Sequence, residues 1–346
     1  MSDAHSASAL WITGISQSEI RQEALPAPLQ NEVRIKTLYT GISRGTESLV
    51  YSGGVPASEH QRMRAPFQEG EFTFPVKYGY VNVGEVQLGP ESLQGRRVFS
   101  LYPHQTHFNI AADAVTVLPE GVLPERAVLT ANMETAINAL WDAQPAIGDN
   151  ISVVGAGLVG CLVAYLASRI AGCTVQLIDI NDQRATIADS LGVNFAQPSE
   201  AQGDQDLVIH SSATEQGLNT ALELAGFEAT ILELSWFGNR NPSISLGGAF
   251  HSRRLQIKSS QVGSIATSQR VRWNYQRRLQ LALSQLTDPA LDVLISGESP
   301  FSQLPETLAR IAGKSTPATD SRKNGAHVAS QTSIREQTLC HRITYA

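Results

Sequence analysis

Two domains of different construction are predicted: an α/β unit with a doubly wound parallel sheet, and a separate β-rich unit. Three observations carry this. The chain has 346 residues, more than one core comfortably serves. From Asn150 onward, strand and helix patterns alternate in units of about thirty residues, the sign of βαβ construction. The first ~120 residues instead offer short strands between Gly- and Pro-rich turns.

In the N-terminal part, Glu32-Val33-Arg34-Ile35-Lys36-Thr37-Leu38 alternates apolar with polar, as a half-buried strand does. Val83–Val86 and Arg97–Leu101 are further strands, separated by turns such as Ser52-Gly53-Gly54-Val55-Pro56 and Leu88-Gly89-Pro90. Near Pro124 the pattern changes. Glu125 to Ala143 has helical spacing, with Ala127, Leu129, Ala136, Ile137 and Leu140 among its apolar positions. Then follow strand Ile151–Val154, helix Leu158–Ala171, strand Thr174–Ile178 and helix Gln183–Leu191, closed by Gly192. Leu207–Ile209 and Ala229–Leu234 read as later strands with helix Gly217–Ala225 between them. After a basic helical stretch, Gln269 to Leu286, Leu291–Ile295 reads as a strand and Leu304–Ala312 as a helix. Lys314 to Thr338 is polar with few large apolar residues. The predicted division is 1–124, 125–288, and a return of 289–346 to the first domain with a polar insertion near 314–338.

Composition narrows the function. The net charge of −6 excludes nucleic acid as the main partner, because phosphate binding needs a basic surface. Cys161, Cys173 and Cys340 form neither a CxxC pair nor a disulfide framework, which fits a reducing cytoplasm. The N-terminus lacks the basic and apolar regions of a signal peptide. Ile151 to Ala167 is almost wholly apolar, yet it is short for a bilayer span and carries glycines at a phosphate-binding spacing, so no membrane partner is expected.

That spacing is the strongest signal in the chain. Gly155-Ala156-Gly157-Leu158-Val159-Gly160 follows an apolar strand and opens an apolar helix. Gly155 permits the tight turn, Gly157 a close backbone approach to a pyrophosphate, and Gly160 close packing of helix on strand. The helix N-terminus offers amides and a partial positive charge to the phosphates. Asp179, at the end of the next strand and beside Ile180, can accept hydrogen bonds from both hydroxyls of the adenosine ribose and would repel a 2′-phosphate. The Rossmann fold and a nicotinamide dinucleotide follow, NAD favoured over NADP. Arg184 lies close enough to neutralise an extra phosphate, so NADP stays open.

The order of parts resembles the medium-chain dehydrogenase/reductase superfamily, which includes the zinc alcohol dehydrogenases. Gly41-Ile42-Ser43-Arg44-Gly45-Thr46-Glu47, Lys77 to Val86, Val153 to Gly160 and Ser259 to Gly263 carry the resemblance, which runs from about Glu32 to Ala312. Gly41 to Glu47 and Pro75 to Gly84 are more narrowly similar to the branch containing bacteriochlorophyllide a dehydrogenase. The resemblance implies a GroES-like β-rich catalytic domain, a homo-oligomer (a homodimer in many relatives), a small-molecule substrate, and hydride transfer between NAD(P) and an alcohol or carbonyl. Enone or quinone reduction, or a cofactor-binding protein without turnover, are the alternatives.

Departures from the zinc enzymes are informative. Ser43 stands where they carry a ligating cysteine, and Gly79-Tyr80-Val81 where they carry Gly-His-Glu. Only Glu134 near the third position could bind metal, and the cysteines of the structural zinc lobe are absent. Catalytic zinc needs three N, S or O donors and an open position, so no metal is expected. His104-Gln105-Thr106-His107 could chelate by spacing, but lacks a third ligand. Tyr80, at a metal-ligand position, is the first candidate for proton donor or oxyanion partner. Ser43 and Thr46 could supply hydroxyls, Glu47 and Glu134 a base, and Arg44 resembles an arginine that approaches the pyrophosphate in relatives. His251-Ser252-Arg253-Arg254 could face an acidic group or simply be solvated. Arg270, Arg272, Arg277 and Arg278 share helical spacing with Trp273 and Tyr275, as on a surface helix.

Overall fold

A computed structural model describes residues 5–313 and 337–345; most of the polar run 314–338 lies outside the described residues. The chain forms two compact units, one of residues up to Leu129 together with Ile295 onward, the other Thr130–Leu294. These boundaries differ by a few residues from 124/125 and 288/289. At the first, Val128 packs against Gly41, which keeps the short 3₁₀ turn Ala127–Leu129 with the β-rich unit. No helix among the described residues is long and apolar enough to cross a membrane.

The β-rich unit begins with strands β1 (His5–Gly14), β2 (Gln17–Leu25) and β3 (Glu32–Ser43), followed by helix α1 (Arg44–Tyr51). Strands β4 (Glu69–Gly70), β5 (Val76–Lys77), β6 (Asn82–Leu88), β7 (Arg97–Ser100), β8 (His107–Ala111) and β9 (Thr116–Val117) complete its N-terminal part. The strand predicted from Glu32 extends five residues beyond Leu38, its last four residues all buried. β3 is a central strand, paired antiparallel with β6 and β8, so its polar Arg34 and Thr37 are buried as well as Val33 and Ile35. Thr37 is satisfied there by donating to the Gln105 carbonyl at 2.5 Å. One core gathers Val33, Ile35, Val86, Val98, Phe108 and Ile110.

The second unit opens with helix α2 (Thr130–Ala143) and then alternates β10 (Asn150–Val154), α3 (Leu158–Ala167), β11 (Thr174–Ile178), α4 (Arg184–Leu191) and β12 (Asn194–Ala196). β13 (Gln205–His210), α5 (Glu215–Leu224), β14 (Ala225–Glu233), β15 (Gln256–Ser259) and α6 (Tyr275–Ser284) follow. The six strands pair in parallel in the order β12-β11-β10-β13-β14-β15, the doubly wound order of dinucleotide-binding sheets. The strand order reverses between β10 and β13, and ligands of such sheets bind outside the carboxyl ends at that point. Gly192 ends α4 in the left-handed region at φ 70°, where a glycine avoids the Cβ penalty.

Several sequence expectations change: the helix read from Glu125 begins only at Thr130, and the one read from Gly217 begins at Glu215. α3 ends at Ala167 rather than Ala171, with Ser168 as its C-cap. α6 starts only at Tyr275, because the Asn274 side chain caps it by accepting from Arg277 N at 2.8 Å. Pro289–Leu294 is a 3₁₀ helix, not a strand; Leu291 and Leu294 are three apart, so both bury on one side. The strand comes next, as β16 (Ile295–Pro300), ahead of helix α7 (Leu304–Ile311) and the final strand β17 (Cys340–Thr344). β17 pairs parallel with β16 and antiparallel with β3, setting Cys340 opposite Ser43.

Candidate active site

In the α/β unit the glycine turn leaves β10 at the switch point. Gly155 has φ 109°, and a Cβ there would stand 2.6 Å from the Ser212 amide nitrogen. A Cβ on Gly160 would stand 1.9 Å from the Gly155 carbonyl oxygen. Both positions are therefore closed to larger residues, and the turn presses onto the loop after β13. Gly157 is the N-cap of α3, in an extended conformation. The first bond back into the helix runs from Cys161 N to the Gly157 carbonyl, so the amides of Leu158, Val159 and Gly160 have no partner within the helix. An anion suits that position.

Asp179 closes the other side. Its Oδ2 accepts from the Ala156 amide at 2.7 Å and its Oδ1 from Asn181 N at 2.9 Å. One amide of the glycine run is thus already used within the protein, and the carboxylate is held by two bonds while half-buried. A carboxylate accepts up to about four hydrogen bonds, which leaves capacity for ribose hydroxyls. Ile180, 83% exposed, follows it. Arg184 is buried at the start of α4, not a cation displayed to solvent.

The same unit holds a polar cluster that sequence reasoning missed. His210 Nδ1 lies 2.6 Å from Glu233 Oε2, and its Nε2 lies 2.6 Å from Ser212 Oγ. Ser212 in turn meets Thr214, whose side chain caps α5. A histidine at the end of a buried parallel strand, ahead of two serines, was the available signal. The cluster braces the loop against which Gly155 packs.

In the β-rich unit, the end of β3 and the first turn of α1 bring Ser43, Thr46, Glu47 and Tyr80 together. Tyr80 is half-buried and hydrogen-bonds the side chains of Ser43 and Thr46. Its phenol is pushed up to about 12, first by burial and then by the nearby Glu47 carboxylate. Glu47 is 2% exposed; its Oε1 accepts from Ser43 N at 2.8 Å and its Oε2 meets His104 Nε2 at 2.9 Å. His104 Nδ1 meets Thr40 Oγ1 at 2.7 Å, and Thr40 Oγ1 meets the Tyr345 hydroxyl at 3.1 Å. Cys340 is buried beside this group, its thiol raised to about 12 by burial and by Glu47. Arg44 opens α1, half-buried.

Several candidates are placed elsewhere. Glu134 lies on α2 of the other unit, 4% exposed, and pairs there with Arg278 at 3.0 Å. Arg278 is accordingly no surface arginine. It also donates to Asn138 Oδ1 and the Val262 carbonyl, each at 2.6 Å, while Arg277 stacks on Trp273 at 3.8 Å. Arg253 donates to the Glu223 and Ala225 carbonyls, and Arg254 pairs with Glu228, so the basic run serves its own unit. Both ring nitrogens of His104 are engaged, which removes the His104–His107 chelate. Among the described residues no three His, Cys, Asp or Glu side chains gather as a metal-holding group. A serine hydroxyl and a phenol held in its neutral form are a poor donor set for zinc.

Comparison with known proteins agrees with this architecture. No protein-family model matches the chain. The chain is 24% identical to the L-threonine 3-dehydrogenase of Legionella pneumophila over 139 residues, and spans 40% of that protein's length. It is 22% identical to the D-guloside 3-dehydrogenase of Escherichia coli over 280 residues, 72% of this chain and 80% of the relative. Among solved structures, an alcohol dehydrogenase of Escherichia coli complexed with NADH superimposes with a TM-score of 0.72 at 17% identity, covering 98% of this chain and 99% of that one. The protein shares the two-unit fold of these structures, a Rossmann sheet plus a GroES-like β-rich unit. The fold is that of the medium-chain dehydrogenase/reductase superfamily.

Proposed function

We propose that the chain is a nicotinamide-dependent oxidoreductase of the alcohol dehydrogenase/carbonyl reductase type, preferring NAD and working without zinc on a small or medium alcohol or carbonyl. One observation carries the reading: the Gly155–Gly160 turn ends β10 at the switch point, with Asp179 bonded across it. The residues fit a dinucleotide. Amides of Leu158, Val159 and Gly160 would hold the diphosphate, and Asp179 the ribose hydroxyls. Arg44 is the further candidate for the diphosphate, by resemblance. The carboxylate of Asp179 disfavours a 2′-phosphate, and buried Arg184 offers it little relief.

The nicotinamide, when bound, supplies or takes the hydride; this chain's part is to polarise the carbonyl and manage one proton. Tyr80 is the proton donor in this reading. Its raised phenol keeps the proton across the physiological range, so the hydroxyl is available to a developing alkoxide. Ser43 and Thr46 orient that hydroxyl, and Glu47 fixes the turn that carries them. We further propose a homo-oligomer through β15, an edge strand exposed at every residue, and a cytoplasmic location in keeping with three cysteines that form no disulfide among the described residues.

Titration with NADH and NADPH, followed by fluorescence, tests the cofactor. A screen of ketones, enones and quinones for loss of reduced-nicotinamide absorbance tests the reaction. Binding of neither coenzyme overturns the reading, and stoichiometric zinc in the purified protein overturns its metal-free part. Light scattering on a sizing column tests the assembly.

A further inference from the structure

We propose that His104 is a positioning residue for this reaction, clamping the Glu47 carboxylate so that the turn carrying Ser43 and Thr46 presents Tyr80 in one geometry. The inference rests on the proposed function for its chemistry, and on hydrogen bonds alone for its geometry.

One direction is fixed by chemistry. The Glu47 carboxylate is an acceptor on both oxygens, from Ser43 N and from His104. His104 Nε2 therefore carries a proton and donates it. Nδ1 of the same ring meets Thr40 Oγ1, which in turn meets the Tyr345 hydroxyl. The imidazole is thus held at both nitrogens and cannot turn away from Glu47 without breaking a buried hydrogen bond.

The clamp is tight. His104 is 1% exposed, and a Cβ on Gly79, the residue before Tyr80, would stand 2.9 Å from His104 Cδ2. One imidazole therefore touches the backbone that bears Tyr80 and the carboxylate that holds Ser43. Tyr78, Tyr80, Cys340 and Tyr345 are the titratable groups that feel Glu47, and Arg342 lies beyond Cys340. Removing the imidazole leaves a buried carboxylate with one donor fewer, free to turn toward Tyr80 or away from it. The proton affinity of Tyr80 moves with it.

The test uses the full-length protein and the variants His104→Leu, His104→Gln and Tyr80→Phe. Tyrosine labelled with ¹³C at Cζ gives a signal for Tyr80, assigned by its loss in Tyr80→Phe. Melting temperature and NADH binding control for folding. His104→Leu is expected to bind NADH as the native chain does and to shift the Tyr80 Cζ signal. It should lower kcat by on the order of a hundredfold with KM little changed. His104→Gln, whose amide can donate to Glu47 in place of the imidazole, should return both toward native. A fall in kcat with the Tyr80 signal unmoved, or one that His104→Gln does not relieve, marks a purely structural histidine and overturns the proposal. If the native chain turns over none of the screened substrates, the oxidoreductase reading fails on its own. The Cζ signal then decides the positioning claim: moved in His104→Leu and restored in His104→Gln supports it, unmoved overturns it. Should His104→Leu not fold, His104→Ala carries the same readouts.

Discussion

Replacing Arg278 by leucine should cost the α/β unit about 3–5 kcal/mol at neutral pH, the usual loss when one partner of a buried ion pair is removed. Three acceptors lose a donor together: Glu134 Oε1, Asn138 Oδ1 and the Val262 carbonyl. Asn138 keeps the Ala266 amide; the side chain of Glu134, 6% exposed, keeps little. For a unit of this size the melting temperature should fall by roughly 6–20 °C. The pH dependence gives a sharper test. In the native chain burial already raises the Glu134 carboxyl above its ordinary 4.5, with Arg278 pulling it back. Without the arginine it rises further. A carboxyl whose folded value lies above its unfolded one binds an extra proton in the folded state. Its contribution to stability is complete below 4.5 and is lost as pH rises through the folded value. The deficit of Arg278→Leu should therefore be largest at mildly alkaline pH and shrink as pH falls toward 4.5. Adding Glu134→Leu should recover much of the loss and flatten the pH dependence. Thermal unfolding across pH measures all of this. A loss below ~1 kcal/mol, or one that does not vary with pH, would refute the account of the pair.

Gly160→Ala should abolish binding of NADH and NADPH in a fluorescence titration, because its Cβ would lie 1.9 Å from the Gly155 oxygen and the turn must open; undiminished binding would contradict the assigned turn. Asp179→Ser should raise NADPH affinity relative to NADH by roughly tenfold to a hundredfold, the effect of removing one charge near a phosphate at intermediate dielectric; an unchanged ratio measured by calorimetry removes Asp179 as the discriminator. Tyr80→Phe should lower kcat by roughly 10²–10⁴ with NADH binding intact, in keeping with loss of a general acid. Native turnover should be flat toward alkaline pH until near 12, where Tyr80 loses its proton, or until the protein unfolds. A native alkaline limb centred near neutrality would name another acid.

Local chemistry explains what could be read before folding. Apolar strands at regular spacing, the Gly155-x-Gly157-x-x-Gly160 run and Asp179 at the next strand end are constraints within about thirty residues of each other, and βαβ geometry turns them directly into a site. The grouping of Ser43, Thr46, Glu47 and Tyr80 was legible because the resemblance to the zinc enzymes sets Ser43 and Tyr80 at positions where those enzymes carry metal ligands. His104 could not be recognised as their partner. It lies 57 positions from Glu47, and only the ladders joining β3 to its neighbours bring the two together. Tyr345 and Cys340 reach the site from the far end of the chain, by the antiparallel pairing of β17 with β3.

Composition and periodicity determined the two-unit plan, the parallel sheet and the dinucleotide turn, since each depends on residues near one another in the chain. Tertiary structure decided which charges are buried and paired. It turned Glu134 from a site candidate and Arg278 from a surface arginine into a buried ion pair, and His104 from half of a possible chelating pair into a buried side chain hydrogen-bonded at both ring nitrogens. The reason is desolvation: whether a charge or a hydrogen bond is strong depends on what excludes water from it, and that is settled only when distant segments pack.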